Sequence, residues 1–203
     1  MNALIERICQ IREKRKALIL AHLYQPGEVQ DVADRVGDSL ELARYAAETD
    51  ADVIVLAGVR FMAESAKLLN PSKTVLLPAA GAGCPMADML DDTQLRELKA
   101  AHPGAAVVCY VNSTAAVKAE SDICCTSSNA VRVVQSIPRE REIIFVPDRN
   151  LGEFVAQQSG RTMFLHPGYC PTHQRLLPEM VESLRKEHPR ALVLAHPECT
   201  AAV

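Results

Sequence analysis

The sequence predicts an α/β protein made of repeated three-layer α/β/α domains with parallel sheets, in a pseudo-threefold arrangement whose third copy is incomplete. Short apolar runs rich in valine, isoleucine and leucine alternate along the chain with helical patterns. Within the runs, apolar residues do not alternate with polar ones, which is typical of parallel strands covered on both faces. The second observation is a repeat, because similar strand-like segments recur every 86 to 88 residues.

The elements follow in order from these patterns. The chain begins with a charged amphipathic helix. Eight apolar runs are predicted as strands: 17–22, 53–57, 74–78, 106–110, 121–125, 142–146, 162–165 and 191–195. Six further segments have helical periodicity: 38–48, 62–69, 92–101, 128–137, 151–158 and 177–187.

The repeat divides the chain into domains. Segments 17–24, 105–112 and 191–198 look like one element used three times, and Cys84 and Cys170 are also 86 residues apart. We therefore predict a first α/β repeat over 1–100, a second over 101–188, and the start of a truncated third repeat over 189–203. One further period would place a third cysteine near position ~256, beyond this chain. The alternative is a complete two-domain protein of 203 residues with a helix–strand tail.

Composition narrows the class of protein. The 203 residues are 48% hydrophobic with a net charge of −3, which fits one large globular domain or two small ones. The 4% aromatic content and the absence of basic clusters give no support for nucleic-acid binding. No apolar stretch approaches about 18 residues, so no membrane span is predicted. No export-signal pattern is present, so the seven cysteines are expected in a reducing cytoplasm.

Each repeated strand is followed by two polar residues spaced by two. The pairs are His22 and Tyr24, Tyr110 and Asn112, and His196 and Glu198. Residues i and i+2 of an extended chain point to the same side, and ligands of parallel α/β sheets collect beyond the carboxyl ends of the strands. The pattern therefore predicts hydrogen-bonding and proton-transferring groups in one cleft, although a single histidine after a strand is more often structural.

Two serines stand at predicted helix starts. Ser39 and Ser127 open helical segments, where a hydroxyl and the helix N-terminus suit the carboxylate or phosphate of a small acidic substrate. Each serine is equally well explained as a helix N-cap.

The cysteines fall into different classes. Cys9 and Cys109 are most simply core residues, because one lies on a helix and the other within a strand. Cys84 and Cys170 lie at equivalent positions in glycine- and proline-containing loops. One thiolate from each repeat would form a metal centre on the pseudo-threefold axis, as an iron–sulfur cluster or zinc.

Several motifs together resemble the quinolinate synthase family. They are "AHLYQPGEVQDVADRVGDSLELA", "VIVLAGVRFMAESAKLLNPSKTVLLP", "GAGCPMADM", "YVNSTAAVKAESDICCTSSNA", "PDRNLGEFVA", "GYCPTH" and "HPEC", and they extend from about residue 17 to the end. The resemblance implies three α/β domains around a central 4Fe–4S cluster held by one cysteine from each domain. It also implies a cytoplasmic transferase that condenses iminoaspartate (iminosuccinate) with dihydroxyacetone phosphate, giving quinolinate, phosphate and water for NAD synthesis. L-aspartate oxidase is the implied pathway neighbour.

The resemblance also implies roles for individual residues. Glu198 and Tyr24 would handle protons, and Cys84 and Cys170 would be cluster ligands. The substrate-binding residues would be His22, Ser39, Tyr110, Asn112, Ser127, His173 and His196.

The sequence departs from the family pattern in two respects. His166 stands where the family usually has tryptophan, which predicts altered packing beneath the "GYCPTH" loop. The third cysteine and a Gly-Ser-Thr phosphate-binding segment are missing, so we expect a truncated chain that holds a cluster poorly and is inactive. The alternative is a catalytically inactive α/β fragment that binds a small dicarboxylate without a cluster. A zinc enzyme is disfavoured because the cysteines are far apart in sequence.

Overall fold

The computed structural model describes residues 2–203. Its helices are α1 (Asn2–Lys14), α2 (Gly27–Gln30), α3 (Ser39–Glu48), α4 (Arg60–Leu69), α5 (Asp92–Ala101), α6 (Ala115–Ala119), α7 (Ala130–Gln135), α8 (Arg149–Ser159), α9 (Pro171–Gln174) and α10 (Pro178–Glu187). Its strands are β1 (Ala17–His22), β2 (Arg35–Gly37), β3 (Val53–Ala57), β4 (Thr74–Leu76), β5 (Ala106–Tyr110), β6 (Ile123–Cys125), β7 (Ile143–Val146) and β8 (Phe164–Leu165).

The chain divides into two compact units, one ending at Cys84 and the other beginning at Pro85. Each contains a four-stranded parallel sheet, with the order β2-β1-β3-β4 in the first unit and β6-β5-β7-β8 in the second. The strand order is therefore the same in both units, and the predicted repeated α/β architecture is confirmed. The observed division falls before α5, whereas the sequence repeat places a boundary near residue 100.

The two units share a hydrogen bond that fixes the pairing of their first two strands. Asp34 precedes β2, and its carboxylate accepts a hydrogen bond from the backbone N–H of Ile19 at 2.8 Å. Asp122 precedes β6 and accepts in the same way from Val107 at 2.7 Å. Both members of the second pair lie 88 positions after those of the first, which is the predicted spacing between His22 and Tyr110. An aspartate at this position stops the edge strand from sliding, because it pins the strand register at its start.

The core of the second unit is formed by its central strands. All five residues of β5 and all four of β7 are buried. One face of this sheet packs against apolar residues of α5 and α6, including Leu95 and Val117. Unbroken burial explains why these two strands have continuous apolar sequences.

One face of the first sheet has a large opening. A cavity of about 720 Å³ lies between α1 and the strands, with Ile8 and Ile11 on the helix side and Ile19, Val53 and Val55 on the sheet side. No helix within residues 2–203 is long and apolar enough to cross a membrane.

One strand prediction was wrong, and one strand was missed. Segment 191–195 forms no strand in the described chain, where Leu192 and Leu194 are 90% and 94% exposed. A strand needs a neighbouring strand to complete its backbone hydrogen bonds, and an apolar sequence does not provide one. Conversely, β2 was not predicted, because its three residues contain an arginine and a glycine instead of an apolar run.

Candidate functional site

The second unit gathers polar side chains where its parallel strands end. Tyr110 is the last residue of β5, and the turn after β6 carries Ser127. Asp148 follows β7 after a cis Val146–Pro147 peptide bond. These positions lie at the carboxyl edge of one sheet, where ligands of such sheets bind.

Cys170 and His173 are positioned by a short helix. Cys170 is the residue before α9. Pro171 is the first residue of this helix, and its fixed φ angle already suits a helical backbone. Residues i and i+3 of a helix lie on one face, so the His173 ring comes back to the cysteine. Its Nδ1 lies 2.9 Å from the Cys170 Sγ.

Glu198 completes this group. Its Oε2 lies 2.8 Å from the same Nδ1 of His173. The ligand atoms of Cys170, His173 and Glu198 all lie within 4.8 Å of one another. One ring nitrogen carries at most one proton, so Nδ1 cannot donate a full hydrogen bond to both the sulfur and the carboxylate. Sulfur, nitrogen and oxygen donors that converge in this way are typical of a site for a transition-metal cation such as zinc or iron.

Two buried carboxylate oxygens beside this group are unsatisfied. Glu198 Oε1 and Asp148 Oδ2 are buried without a hydrogen-bond partner within the described residues. An unpaired buried polar atom costs free energy, so these oxygens favour a bound cation or a donor from a ligand.

The turn that carries Glu198 is held by its backbone. The buried Asn150 donates from Nδ2 to the Glu198 carbonyl at 2.9 Å. Asn150 lies at the start of α8, where Asp148 is the N-cap and accepts from the backbone N–H of Leu151 at 2.7 Å. Neither Asp148 nor Asn150 was singled out from the sequence, although an Asp-x-Asn motif directly after a strand was the available signal.

The orientation of His196 is fixed by the same turn. The backbone N–H of Glu198 donates to its Nδ1 at 3.3 Å, and its Nε2 lies 3.2 Å from the Ser127 hydroxyl. Burial lowers the pKa of His196, against the opposing effect of Glu198. A neutral ring that accepts at Nδ1 carries its proton on Nε2. Nε2 therefore donates to Ser127, whose own O–H is left to donate to a ligand.

Tyr110 and Asn112 form the next pair. The Asn112 amide donates to the Tyr110 hydroxyl at 3.0 Å. Burial raises the pKa of Tyr110, and the negative charge of Glu198 raises it further. The phenol therefore stays neutral and remains a hydrogen-bond donor at physiological pH.

The first unit repeats the histidine arrangement. The backbone N–H of Tyr24 donates to Nδ1 of His22 at 3.2 Å, and the two rings meet edge-on with centroids 4.7 Å apart. Burial lowers the pKa of His22, with an opposing effect of the Asp38 charge. The neutral ring therefore carries its proton on Nε2, as His196 does. The predicted i, i+2 pairs are thus internally hydrogen-bonded units.

Ser39 and Ser127 are not the N-caps of their helices. Ser39 is the first residue of α3, and it is Asp38 that accepts from the backbone N–H of Glu41, at 2.8 Å. Asn129 is the N-cap residue of α7, whereas Ser127 contacts His196.

Cys84 is partly buried and follows a loop whose Ala82 carbonyl accepts from the backbone N–H of Arg60 at 2.8 Å.

His166 fills the space beneath the loop that leads to Cys170. Its ring is buried, and Nδ1 lies 3.0 Å from the Pro147 carbonyl and 3.1 Å from the backbone nitrogen of Gly168. An added Cβ at Gly168 would lie 2.4 Å from the same carbonyl oxygen. The loop and the end of β7 are therefore in close backbone contact at this point.

The titration of Asp148 gives a testable pH dependence. Burial raises its pKa from 3.8 to about 6, so the folded chain binds this proton more tightly than the unfolded chain does. Its contribution to stability is complete below about pH 4 and is lost as pH rises to about 6. In metal-free protein, Asp148→Asn should remove this dependence, so its stability relative to the wild type should rise by roughly 2–3 kcal/mol across that interval. Urea unfolding from pH 4 to 7 measures the difference.

The exposed Asp50→Asn is the matched control and should leave the pH profile unchanged. Identical profiles for the wild type and Asp148→Asn would disprove the assignment.

The fold and this group of side chains together describe an α/β protein with a Cys–His–Glu group, able to hold a metal ion, at the carboxyl ends of its strands. Residues 6–203 match the family described as Quinolinate synthetase A protein, and the chain belongs to that family.

Individual relatives agree with this assignment. The chain is 60% identical over 198 residues to the quinolinate synthase of Geobacter metallireducens, an alignment that covers 98% of this chain and 65% of the relative. It is 58% identical over 192 residues to that of Dehalococcoides mccartyi, covering 95% of this chain and 63% of the relative. It is 59% identical to quinolinate synthase 2 of Methanosarcina acetivorans, covering 98% and 64%. The chain thus spans a little under two thirds of the length of these relatives.

Proposed function

We propose that this chain carries the active site of a quinolinate synthase, which condenses iminoaspartate with dihydroxyacetone phosphate to give quinolinate, phosphate and water for NAD synthesis. The observation that carries the proposal is the connected group Ser127–His196 and Cys170–His173–Glu198 at the strand ends of the second unit. Membership of the family supports it independently.

The substrate carboxylates would be held by hydroxyl and imidazole donors. Ser127 has an O–H available because His196 donates to its oxygen through Nε2. His22 has an Nε2–H available because its Nδ1 accepts from the backbone N–H of Tyr24, and Ser39 begins α3. Neutral donors fixed in position bind an acidic substrate and restrict its orientation.

Tyr110 and Asn112 would orient the hydroxyl-bearing carbons. The amide fixes the phenol oxygen, and the raised pKa of Tyr110 keeps its proton available for hydrogen bonding. His173 would hold Glu198 Oε2, which leaves Oε1 to take up or release a proton. Glu198 is therefore the proposed general acid and base, with Tyr24 as a second proton-handling group.

Two of the cysteines would serve as ligands of an iron–sulfur cofactor. Cys84 and Cys170 would supply thiolates, and burial raises the pKa of Cys170 to about 11, so this sulfur is a protonated thiol unless a cation stabilises the thiolate. Glu198 adds negative charge beside it. When bound, a 4Fe–4S cluster with an open iron position would act as a Lewis acid towards a substrate hydroxyl or carboxylate.

Anaerobic reconstitution with iron and sulfide tests the proposal. The wild type should develop the broad absorption of an iron–sulfur cluster at the violet edge of the visible spectrum, at less than full occupancy because only two of the three cysteine ligands are present. Cys170→Ser and Cys84→Ser should each lose most of the bound iron, because a hydroxyl is a poor ligand for iron in such clusters. Cys9→Ser is the matched control and should retain it.

Calorimetry with a four-carbon dicarboxylate separates the proposal from its alternative. The proposed site should bind the dicarboxylate, and Ser127→Ala should weaken binding by about tenfold, the worth of one hydrogen bond to a charged group. A folded protein that binds the dicarboxylate but no iron would favour an α/β binding module instead. A protein that binds neither would contradict both.

A further inference from the structure

Two cysteines outside the site are neighbours on adjacent strands. Cys109 of β5 and Cys124 of β6 are directly paired in the parallel register. Paired residues of neighbouring strands point to the same face, and such strands lie about 4.8 Å apart. This separation is within the range of roughly 4.4–6.8 Å over which a disulfide joins two Cα atoms.

The two thiols differ in access to solvent. Cys109 is fully buried in the apolar cluster beneath α5 and α6, whereas Cys124 is exposed at the edge of the sheet. The Cys109 S–H donates to the Tyr110 carbonyl at 3.3 Å, and the Cys124 thiol is its electrostatic neighbour. A reagent in solution therefore reaches Cys124 first, and Cys109 lies directly behind it.

The contact also makes the two sulfurs chemically unequal. The interaction with Cys109 lowers the pKa of Cys124 to about 7 against the effect of burial, and the charge of Lys118 lowers it further. The interaction with Cys124 and burial raise the pKa of Cys109. At neutral pH a substantial fraction of Cys124 is therefore thiolate at the surface, whereas Cys109 behind it is a protonated thiol. The thiolate is the form of cysteine that reacts with oxidants.

The third cysteine of this region has a different environment. Cys125 is buried, is paired in register with Tyr110, and has a pKa raised by burial to about 12. Successive residues of a strand point to opposite faces, so Cys124 and Cys125 point away from each other. Cys109 is therefore the partner that the strand geometry offers to Cys124.

We propose that Cys109 and Cys124 form an oxidisable dithiol whose oxidant is a hydroperoxide. The Cys124 thiolate attacks a peroxide oxygen, the O–O bond breaks, and water or an alcohol leaves after taking a proton. Cys124 is then a sulfenic acid. The Cys109 sulfur attacks the Cys124 sulfur, the S–O bond breaks, and the Cys109 proton leaves with the hydroxide as water. One hydroperoxide is reduced, and two thiols are oxidised to a disulfide that thiol reductants reopen.

Peptide mapping of the full chain tests this proposal. The metal-free, fully reduced protein is treated with excess hydrogen peroxide, blocked with N-ethylmaleimide under denaturing conditions, and digested with trypsin. Cleavage after Lys99, Lys118 and Arg132 places Cys109 on peptide 100–118 and Cys124 on peptide 119–132. We expect these peptides to be joined, with a mass two hydrogens below their sum, and to separate after reduction.

Variants identify the partner and the order of events. Cys125→Ala should keep the cross-link, whereas Cys109→Ala should abolish it and leave Cys124 to accumulate as sulfinic acid. The wild-type map is informative even if the buried Cys109→Ala does not fold. Unlinked peptides with maleimide on Cys109, or a cross-link through Cys125, would overturn the proposal.

Discussion

Replacing Phe145 by alanine should lower the free energy of unfolding of the second unit by about 4 kcal/mol. Phe145 lies in the middle of β7 and is 0% exposed. The backbone around it has little room to collapse into the cavity, because β7 is hydrogen-bonded on one side to β5 and on the other to β8. The loss therefore includes both the transfer of the ring and the cost of an unfilled cavity. Hydrogen exchange of the β5 and β7 amides measures it, since these amides report on this unit alone.

Phe154 provides the matched control. It lies on α8 in the same unit and is 39% exposed, so Phe154→Ala removes the same atoms from a more open position. We expect a loss below about 1.5 kcal/mol, because much of this ring is already in contact with water. Equal losses for the two variants would show that the core of this unit is not centred on β7.

Replacing Gly168 by alanine should destabilise the loop that carries Cys170 by at least about 3 kcal/mol. The new Cβ would lie 2.4 Å from the Pro147 carbonyl oxygen and 3.0 Å from Nδ1 of His166. The carbonyl belongs to the backbone, and the Gly168 carbonyl is itself bound to the backbone N–H of Arg149 at 2.8 Å. The clash therefore has to move the loop, and Cys170 is two residues away. The expected destabilisation does not come from backbone strain, because Gly168 has a φ angle that other residues also adopt.

The displacement should be visible at the thiol. We expect Cys170 to react faster with a thiol reagent in Gly168→Ala, together with a lower midpoint of thermal unfolding. Gly81→Ala is the control, since a Cβ there meets no atom within 4 Å. Unchanged stability and unchanged Cys170 reactivity in Gly168→Ala would mean that the loop and β7 are not in close contact.

The sequence predicted strands best where the apolar run is unbroken and has clear ends. The observed bounds of β1, β3 and β5 match the predicted bounds at both ends. Each of these strands is a continuous apolar run, in which a polar side chain occurs only as the last residue. β2 has no such run and depends on Asp34 and its pairing with β1, which are tertiary contacts. The apolar segment 191–195 shows the opposite error, since the described chain provides it with no strand partner.

The sequence predicted which residues belong to the candidate site better than it predicted the contacts that join them. The sequence singled out Cys170, His173, Glu198, Ser127 and His196, and the second unit brings these side chains into contact. It did not predict the roles of Asp148 and Asn150: the Asp-x-Asn motif after β7 was a local signal that was not used, and the contact of Asn150 with the Glu198 carbonyl joins residues 48 positions apart. The roles assigned to the residues brought into contact remain predictions, as do those of His22, Tyr24, Ser39, Tyr110, Asn112 and Cys84.

The hydrogen bond from residue i+2 to a histidine Nδ1 has an evolutionary consequence. At His22 and His196 the donor is a main-chain amide, so the identity of the side chain two positions on is not constrained by this contact. Tyr24 and Glu198 occupy that position in the two cases. A gene duplication that copies such a tripeptide passes on a correctly oriented imidazole at once, and the third residue is then able to diverge towards a new chemical task.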